Sequence, residues 1–266
     1  MVAASICWSF GGLCIKHIPW SAMSIIGLRS LLAAVVFIIY LRSVKISFTR
    51  GNILAALCLS ATTILFVFAT KMTTAAAAIL LQFSAPVFII LILFVFYGKK
   101  PNLVEIIAVL VTIAGMLLFF ADRLESNGLF GNLLAICSGI TFAGVFVCNK
   151  RPDTDPAQSL LLGFLINAVI GMPFAFFEVT ADPVAWGFVL FLGVVQVGIA
   201  YLFFSIGIKK TPVLLACLIT ALEPVLNPLW VAMTIGEIPG VFAMAGGAII
   251  ILTVLAYNVW VEKHPN

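Results

Sequence analysis

The chain has 266 residues, of which 64% are hydrophobic and only 9% are charged, and its mean hydropathy is +1.25. This composition excludes an ordinary soluble domain, which needs more polar surface to cover its core, and predicts an integral membrane protein. The formal charge of +4 comes from basic residues that are scattered along the chain, most of them in pairs or singly at the ends of apolar runs. No stretch is basic enough to follow a phosphate backbone, so we expect no nucleic-acid partner.

The sequence contains ten apolar segments, each long enough, allowing for tilt, to cross a hydrocarbon core of about 30 Å. We number them 1 to 10 in chain order. They cover residues 2–15, 22–41, 52–70, 74–97, 103–120, 129–148, 157–177, 184–208, 213–235 and 241–261. Segment 1 lacks the basic start and the cleavage site of a signal peptide, so we expect it to remain in the mature protein.

The Lys and Arg residues favour one side of the predicted membrane. Ten of them follow the even-numbered segments, whereas three follow odd-numbered ones and Arg29 lies within segment 2. Because basic loops tend to remain cytoplasmic, this bias places both termini in the cytoplasm. The expected class is an all-α integral membrane protein with ten transmembrane helices.

One stretch of the chain is repeated. Residues 71–101 align without gaps on residues 209–239, and nine positions are identical, including Pro86 with Pro224. Each proline lacks an amide hydrogen, so the carbonyl groups four residues earlier lose their helical partners and we expect a bend at both sites.

The two copies have opposite charge polarity. The basic pair Lys99 and Lys100 follows the first copy, whereas the pair Lys209 and Lys210 precedes the second. If the basic ends are cytoplasmic, the copies cross the bilayer in opposite directions, which is typical of the inverted repeats of secondary transporters. We therefore expect two inverted five-helix repeats, residues 1–127 and 128–266.

Segment 9 carries a polar stripe. Thr220, Glu223 and Asn227 are spaced three and four apart and so share a face of an α-helix. A carboxylate deep in a bilayer is disfavoured by about 2.5–3.5 kcal/mol, so Glu223 should face the bundle interior or water. Glu223 is a candidate for proton coupling, since a carboxyl group can bind and release a proton. The alternative is a structural role in which it holds helices together by hydrogen bonds.

A few polar groups among aromatic side chains suit an organic substrate. The candidate residues of the substrate cavity are Trp8, Gln82, Thr141, Gln196, Tyr201, Thr220 and Asn227. Arg29 lies nearer the outer end of its segment, so we expect it chiefly to anchor its helix. All six cysteines lie in apolar runs without a histidine partner, and we expect no metal site and no cofactor.

Several short motifs of the second half have a weaker counterpart in the first. They are Ala200-Tyr201-Leu202-Phe203-Phe204, Ala221-Leu222-Glu223-Pro224-Val225, Gly236-Glu237 and Gly246-Gly247, with the counterpart in Ser84-Ala85-Pro86-Val87 and Gly98. In these residues the chain resembles an EamA-type member of the drug/metabolite transporter superfamily. The resemblance implies an inverted-repeat carrier whose central cavity is lined mainly by segments 1, 3, 4, 6, 8 and 9. Lys99 departs from the family pattern, in which many repeats have an acidic residue.

We therefore expect a multi-pass carrier of the plasma membrane that exports a small amphipathic metabolite by alternating access. The resemblance implies that the substrate is an amino acid, an amine or a drug-like compound. The sequence has no Walker-type phosphate-binding loop, so a gradient drives transport, with protons as the candidate coupling ion, or the substrate runs downhill. The expected partners are this substrate and the lipid bilayer, and no obligate protein partner is evident.

Three alternatives remain open. A nucleotide-sugar or phosphorylated-metabolite antiporter needs basic residues in its cavity, and only Arg29 is a candidate. A membrane-embedded enzyme needs clustered acids, bases or metal ligands, but the two histidines, His17 and His264, lie at segment ends and we expect no catalytic residue. A channel differs from a carrier in showing no saturable counterflow.

The orientation of the two copies can be tested by labelling. Single cysteines placed near Lys100 and near Lys210, in a variant without the native cysteines, should both react with an impermeant thiol reagent only from the cytoplasmic side. Labelling of the two positions from opposite sides would contradict the inverted orientation.

Overall fold

The computed structural model describes residues 1–10, 15, 18–121, 128–226 and 240–264. Every regular element within these residues is a helix. The helices are Val2–Trp8, Ala22–Leu41, Arg50–Met72, Ala75–Gln82, Ala85–Tyr97, Leu103–Phe119, Leu129–Cys148, Pro156–Glu178, Pro183–Leu190, Phe191–Ile199, Ala200–Lys210, Val213–Thr220 and Val241–Lys263. A further helical stretch follows at residues 222–226.

When consecutive helices are joined, as in Ala76–Tyr97 and Pro183–Lys210, seven helical spans of the described residues are long and apolar enough to cross a membrane. Leu103–Phe119 and Val213–Leu226 are shorter apolar spans. Large apolar side chains cover the outer face of the bundle; Phe96, Phe176 and Phe177 are 77%, 84% and 85% exposed. Such a surface is stable only in contact with lipid or another apolar phase. The predicted all-helical, multi-pass class is confirmed, whereas the ten-helix topology and the cytoplasmic termini stay predictions.

Side-chain caps fix where several of these helices begin. Ser21, Thr49 and Thr74 each accept a hydrogen bond from a backbone amide in the first turn of the helix that follows. Asn102 and Glu105 form a reciprocal capping box at the start of segment 5. These oxygens satisfy amide groups that have no partner within the helix, which defines the helix ends at the polar boundaries.

Glycines bring segments from the two halves of the chain into close contact. A Cβ atom added to Gly27 in segment 2 would lie 2.5 Å from the carbonyl carbon of Gly171 in segment 7. In the same way, a Cβ on Gly246 in segment 10 would lie 2.5 Å from the carbonyl oxygen of Gly115 in segment 5. Without side chains at these points the helix backbones approach closely, which favours packing in an apolar solvent.

Hydrogen bonds also join two connections of the bundle, one from each half. The Thr49 hydroxyl donates to the carbonyl of Asp153 at 2.6 Å, and the Gly51 amide donates to the Asp153 carboxylate at 2.9 Å. The Asp155 amide donates to the Asn52 side chain at 2.8 Å. The hydrogen bond from Arg151, together with that from the Gly51 amide, holds the pKa of Asp153 below its usual range. This network ties the start of segment 3 to the connection between segments 6 and 7.

Gly27→Ala should lower the free energy of unfolding by about 1–3 kcal/mol, because the added methyl group forces apart two backbones that have no side chain to move. The measurement is unfolding of the purified protein in detergent micelles. Gly187→Ala is the matched control, since nothing lies within 4 Å of a Cβ at Gly187. Equal stability of the two variants would contradict the close contact between segments 2 and 7.

Candidate functional site

The helix of segment 4, which lies in the first half of the chain, is interrupted. One helix ends at Gln82 and the next begins at Ala85, with Pro86 in its first turn. The Ser84 amide bonds to the carbonyl of Leu81 at 3.2 Å, which is a tighter turn than an α-helix makes. Because Pro86 has no amide hydrogen, it cannot bond to the carbonyl of Gln82, and it therefore lies in the first turn of a new helix.

Segment 9, in the second half of the chain, is interrupted at the position that matches the interruption in segment 4. The helix ends at Thr220, and the Ala221 amide bonds to the carbonyl of Leu218 at 3.0 Å. The helical stretch at residues 222–226 follows and contains Glu223 and Pro224. In the alignment of the two copies, Ala221 corresponds to Phe83, so both helices are interrupted shortly before the shared proline.

Each interruption contacts a helix from the other half of the chain. The Ser5 hydroxyl, in segment 1, donates to the carbonyl of Ile219 in segment 9 at 3.1 Å. In segment 6, Gly139 lies so close to segment 4 that an added Cβ would be 2.9 Å from the carbonyl oxygen of Gln82. Segment 1 therefore covers the interruption in segment 9, and segment 6 covers the one in segment 4.

Segment 8 runs from Pro183 to Lys210, but its centre, Phe191–Ile199, is a π-helix. The Ala200 amide bonds to the carbonyl of Val195, five residues earlier. In an α-helix, residues five apart point in directions that differ by about 140°, whereas a π-turn brings them nearly onto one face. The wider turn explains how Gln196 and Tyr201, five residues apart, both face the cavity described next. The sequence predicted an ordinary helix over this stretch and gave no signal of the π-helix.

A polar cavity lies between these segments. Five of the residues that the sequence pointed to line it: Trp8, Gln82, Gln196, Tyr201 and Glu223. The part that the described residues enclose has a volume of about 60 Å³, whereas typical small-molecule pockets measure about 300–1,000 Å³. A substrate of ordinary metabolite size therefore enters this part only if the surrounding helices move apart.

Six further residues line the same cavity and were not among the candidates: Arg29, Thr62, Thr63, Phe66, Phe142 and Val197. Arg29 differs most from expectation. It is only 6% exposed and faces the cavity, so the prediction that it chiefly anchors the outer end of its helix is wrong. Its signal in the sequence was a charged residue within an apolar run, which by itself suggests a functional site.

Hydrogen bonds hold one wall of the cavity. The Gln82 amide donates to the Ser138 hydroxyl at 2.6 Å. The Thr62 hydroxyl donates to the Thr141 hydroxyl at 2.9 Å, and Thr141 in turn donates to the carbonyl of Ser138 at 3.0 Å. Thr141 is thus a supporting residue behind Thr62 and is not itself a lining residue.

Aromatic rings form another part of the cavity lining. The rings of Trp8 and Tyr201 meet edge to face with their centroids 4.9 Å apart. Tyr201 also contacts Phe164 and Phe204, with centroid distances of 5.5 and 5.8 Å. Edge-to-face pairs of this kind stabilise the packing beyond the area that they bury. The wall holds Tyr201 from several sides and fixes where its hydroxyl lies.

Two of the candidates in segment 9 are not placed in the cavity. Thr220 is fully buried and its hydroxyl donates to the carbonyl of Cys217 at 2.6 Å. The tight turn at Ala221 breaks the regular spacing that was expected to put Thr220 and Glu223 on one face. Asn227 lies outside the described residues.

Arg29 and Glu223 both face this cavity without neutralising each other. Among the described residues no ion pair within 4 Å joins them, and the Arg29 Nε atom has no hydrogen-bond partner. Tyr201 lies within electrostatic range of both groups. The carbonyl oxygen Oε1 of Gln196 is also buried without a partner, while its amide nitrogen donates to the carbonyl of Trp8 at 3.4 Å. The cavity thus presents one unpaired donor, the Arg29 Nε atom, and one unpaired acceptor, the Gln196 Oε1 atom.

Comparison with protein families decides the class of protein. The model of the EamA-like transporter family matches residues 1–121 and, separately, residues 129–259. The chain belongs to the EamA-like transporter family. It is therefore a membrane transporter, as the resemblance in the sequence predicted.

Individual relatives agree with this assignment. The chain is 28% identical over 192 residues to an uncharacterized transporter of Archaeoglobus fulgidus, covering 71% of this chain and 69% of that protein. It is 26% identical over 221 residues to the uncharacterized transporter YwfM of Bacillus subtilis, covering 79% and 74%. A solved crystal structure shares the fold with a TM-score of 0.79 at 19% identity, over 97% of this chain and 96% of the other.

Tyr201→Ala should lower the free energy of unfolding by about 3–5 kcal/mol, because it removes a ring that packs edge to face against Trp8, Phe164 and Phe204. Tyr201→Phe keeps the ring and should stay within about 1 kcal/mol of wild type. Unfolding in detergent micelles measures both. Tyr40→Ala is the control, since Tyr40 is 49% exposed and its loss should change stability little. A small effect of Tyr201→Ala would contradict the packed wall.

Proposed function

We propose that this EamA-like transporter is a secondary carrier that exports a small amphipathic metabolite by alternating access. One observation carries the proposal: two helices interrupted at matched positions of a repeated segment border one polar cavity. Helix interruptions place free backbone groups and charged side chains at the centre of a bundle, and carriers bind their substrates there. A cavity with a polar side and an aromatic side suits an amphipathic molecule.

The inverted five-plus-five arrangement has several lines of support. The two separate family matches, to residues 1–121 and 129–259, divide the chain near the predicted boundary at residue 127. A symmetry operation that exchanges the two halves would place segment 3 on segment 8 and segment 7 on segment 2. It therefore relates the contact between segments 3 and 7 to the contact between segments 8 and 2, and the chain makes both contacts. The same exchange relates the two covered interruptions. These equivalences are what a two-fold axis between inverted halves produces.

Alternating access follows from this symmetry. If the halves are equivalent but inverted, a conformation closed at one end has a counterpart closed at the other, and the substrate site between them faces each side in turn. The hydrogen bonds around Asp153 close one end by joining the halves. These bonds must break when that end opens, and their loss is offset by new contacts at the other end.

Proton coupling through Glu223 is the simplest energy source. Its carboxyl group is partly buried in the cavity, so each conformation exposes it to one side. The ionisable groups that face it there are Arg29 and Tyr201. A carboxyl group that is protonated from one side and deprotonated to the other couples transport to the proton gradient. We place the protein in the plasma membrane, where that gradient exists.

A phosphorylated substrate is the second candidate, because Arg29 does face the cavity. A single guanidinium group binds phosphate well, but Glu223 places a negative charge in the same cavity. A phosphate that carries two negative charges would meet a site with no net charge. The arrangement of charges therefore favours a substrate whose own net charge is small.

Glu223→Gln should abolish substrate accumulation driven by a pH gradient in proteoliposomes and leave the protein folded, because an amide cannot carry a proton across. The assay screens amino acids, amines and nucleotide sugars with and without an imposed gradient, and follows counterflow in parallel. Glu262→Gln, at the exposed end of segment 10, is the control and should behave as wild type. Proton-driven accumulation that persists in Glu223→Gln would exclude this role, and unsaturable flux without counterflow would indicate a channel.

A further inference from the structure

We infer that Cys58 and Cys148 form an oxidisable pair of thiols, and that their disulfide joins the two halves of the chain and holds one end of the bundle closed. The pair is a site of reversible covalent modification, and its reaction partner is a small organic disulfide. Formation of the bond depends only on the positions of the two cysteines. Its effect on transport rests on the alternating access proposed above.

Gly144 leaves room for the two sulfur atoms to meet. A Cβ atom added to Gly144 in segment 6 would lie 2.6 Å from the Sγ atom of Cys58 in segment 3. Cys148 follows Gly144 by four residues, so the two lie on one face of the helix and one turn apart. Side chains of a helix lean back towards its N-terminus, so the Cys148 side chain extends over the turn that contains Gly144. The thiols of Cys58 and Cys148 interact directly there.

Both thiols are available for reaction. Neither cysteine forms a disulfide, and both side chains are partly exposed, whereas Cys217 is fully buried. A disulfide forms only where the two Cβ atoms can come within about 3.5–4.5 Å of each other. Side chains that already contact each other across two packed helices meet this requirement with little movement of the backbone.

The pair lies between the cavity and the end of the bundle where the halves are joined. Beside the cavity, the Thr62 hydroxyl bonds to segment 6, and Thr62 lies one helical turn beyond Cys58. At the end of the bundle, the Gly51 amide donates to the carboxylate of Asp153, which follows shortly after Cys148. When this end opens, the halves separate around Asp153 and the two thiols lose their contact. A disulfide resists that separation, so it keeps this end closed.

The bond forms by thiol–disulfide exchange. The thiolate of one cysteine attacks a small organic disulfide and releases one small thiol, which leaves a mixed disulfide on the protein. The second cysteine attacks the sulfur of the first and releases the other small thiol. Two S–H bonds of the protein are replaced by one S–S bond, and the two protons and two electrons end on the released thiols. A thiol reductant reverses the reaction, as reductants of the cytosol do.

The first test measures bond formation in detergent micelles. It uses a variant that keeps Cys58 and Cys148, with alanine in place of the other four cysteines. Treatment with 2,2′-dithiodipyridine should release two molecules of pyridinethione per protein and retain no pyridyl group, and mass spectrometry should find the two cysteine peptides joined. The matched control keeps Cys58 and Cys137, which lies about three turns from Cys148 along segment 6. Each cysteine of the control should retain its own pyridyl group.

The second test measures whether the bond holds this end closed. Hydrogen exchange in peptides that contain Gly51 reports separation of the halves, because the Gly51 amide is bonded to Asp153. The disulfide should slow this exchange at least tenfold, and reduction should restore it. Cys148→Ser, treated with the same reagent, is the control and should show no slowing. In proteoliposomes, the disulfide should also lower counterflow of the screened amino acids, amines and nucleotide sugars at least tenfold and reversibly.

The outcomes separate this inference from the carrier function. Pyridyl groups retained on both Cys58 and Cys148 in folded protein would overturn the thiol pair. A disulfide that forms but changes neither the exchange at Gly51 nor counterflow would overturn its closing role. Absence of counterflow for every compound in the reduced protein would refute the carrier function, and hydrogen exchange would still decide whether the bond closes this end. If the two-cysteine variant does not fold, the joined peptides are sought in wild type.

Discussion

Backbone groups inside a bilayer have no water to bond with, and this constraint shapes the centre of the molecule. An interrupted helix leaves carbonyl groups that must find partners within the protein. The Ser5 hydroxyl meets the carbonyl of Ile219 at one interruption, and Gly139 lets segment 6 lie against the carbonyl of Gln82 at the other. The same groups that make the interruptions stable therefore also draw segments 1 and 6 to the cavity.

Buried charged and polar side chains also need hydrogen-bond partners, but a few of them have none within the described protein. Five buried side-chain atoms of the described residues have no hydrogen-bond partner; they belong to Arg29, Ser30, Thr154, Asn167 and Gln196, and of these residues Arg29 and Gln196 line the cavity. Surface charges are instead paired or exposed at the helix ends, as with Arg151 and Asp153. The unpaired atoms of Arg29 and Gln196 are available to bond to a molecule that enters the cavity.

Hydropathy was enough to place the helices, and segment 6 was predicted at the residues where Leu129–Cys148 lies. The interruptions were anticipated because proline acts on its own helix and leaves a local signal. The π-helix was missed because hydropathy does not distinguish it from an α-helix; within it, Gly193 and Gly198 lie close to Leu32 and Val36 of segment 2. Arg29 was misjudged for a related reason: depth along a segment can be read from sequence, but the direction a side chain faces depends on the neighbouring helices.

The covered interruptions also bear on how the chain folds. Segment 4 is synthesised well before segment 6, and segment 9 contacts a serine near the very start of the chain. The first half alone would lack segment 6 beside the carbonyl of Gln82, and the second half alone would lack the Ser5 hydroxyl that donates to the carbonyl of Ile219. The duplicated halves are thus obligate partners: each is the other's missing structural element, and a chain cut between them should regain its fold only when both pieces are present.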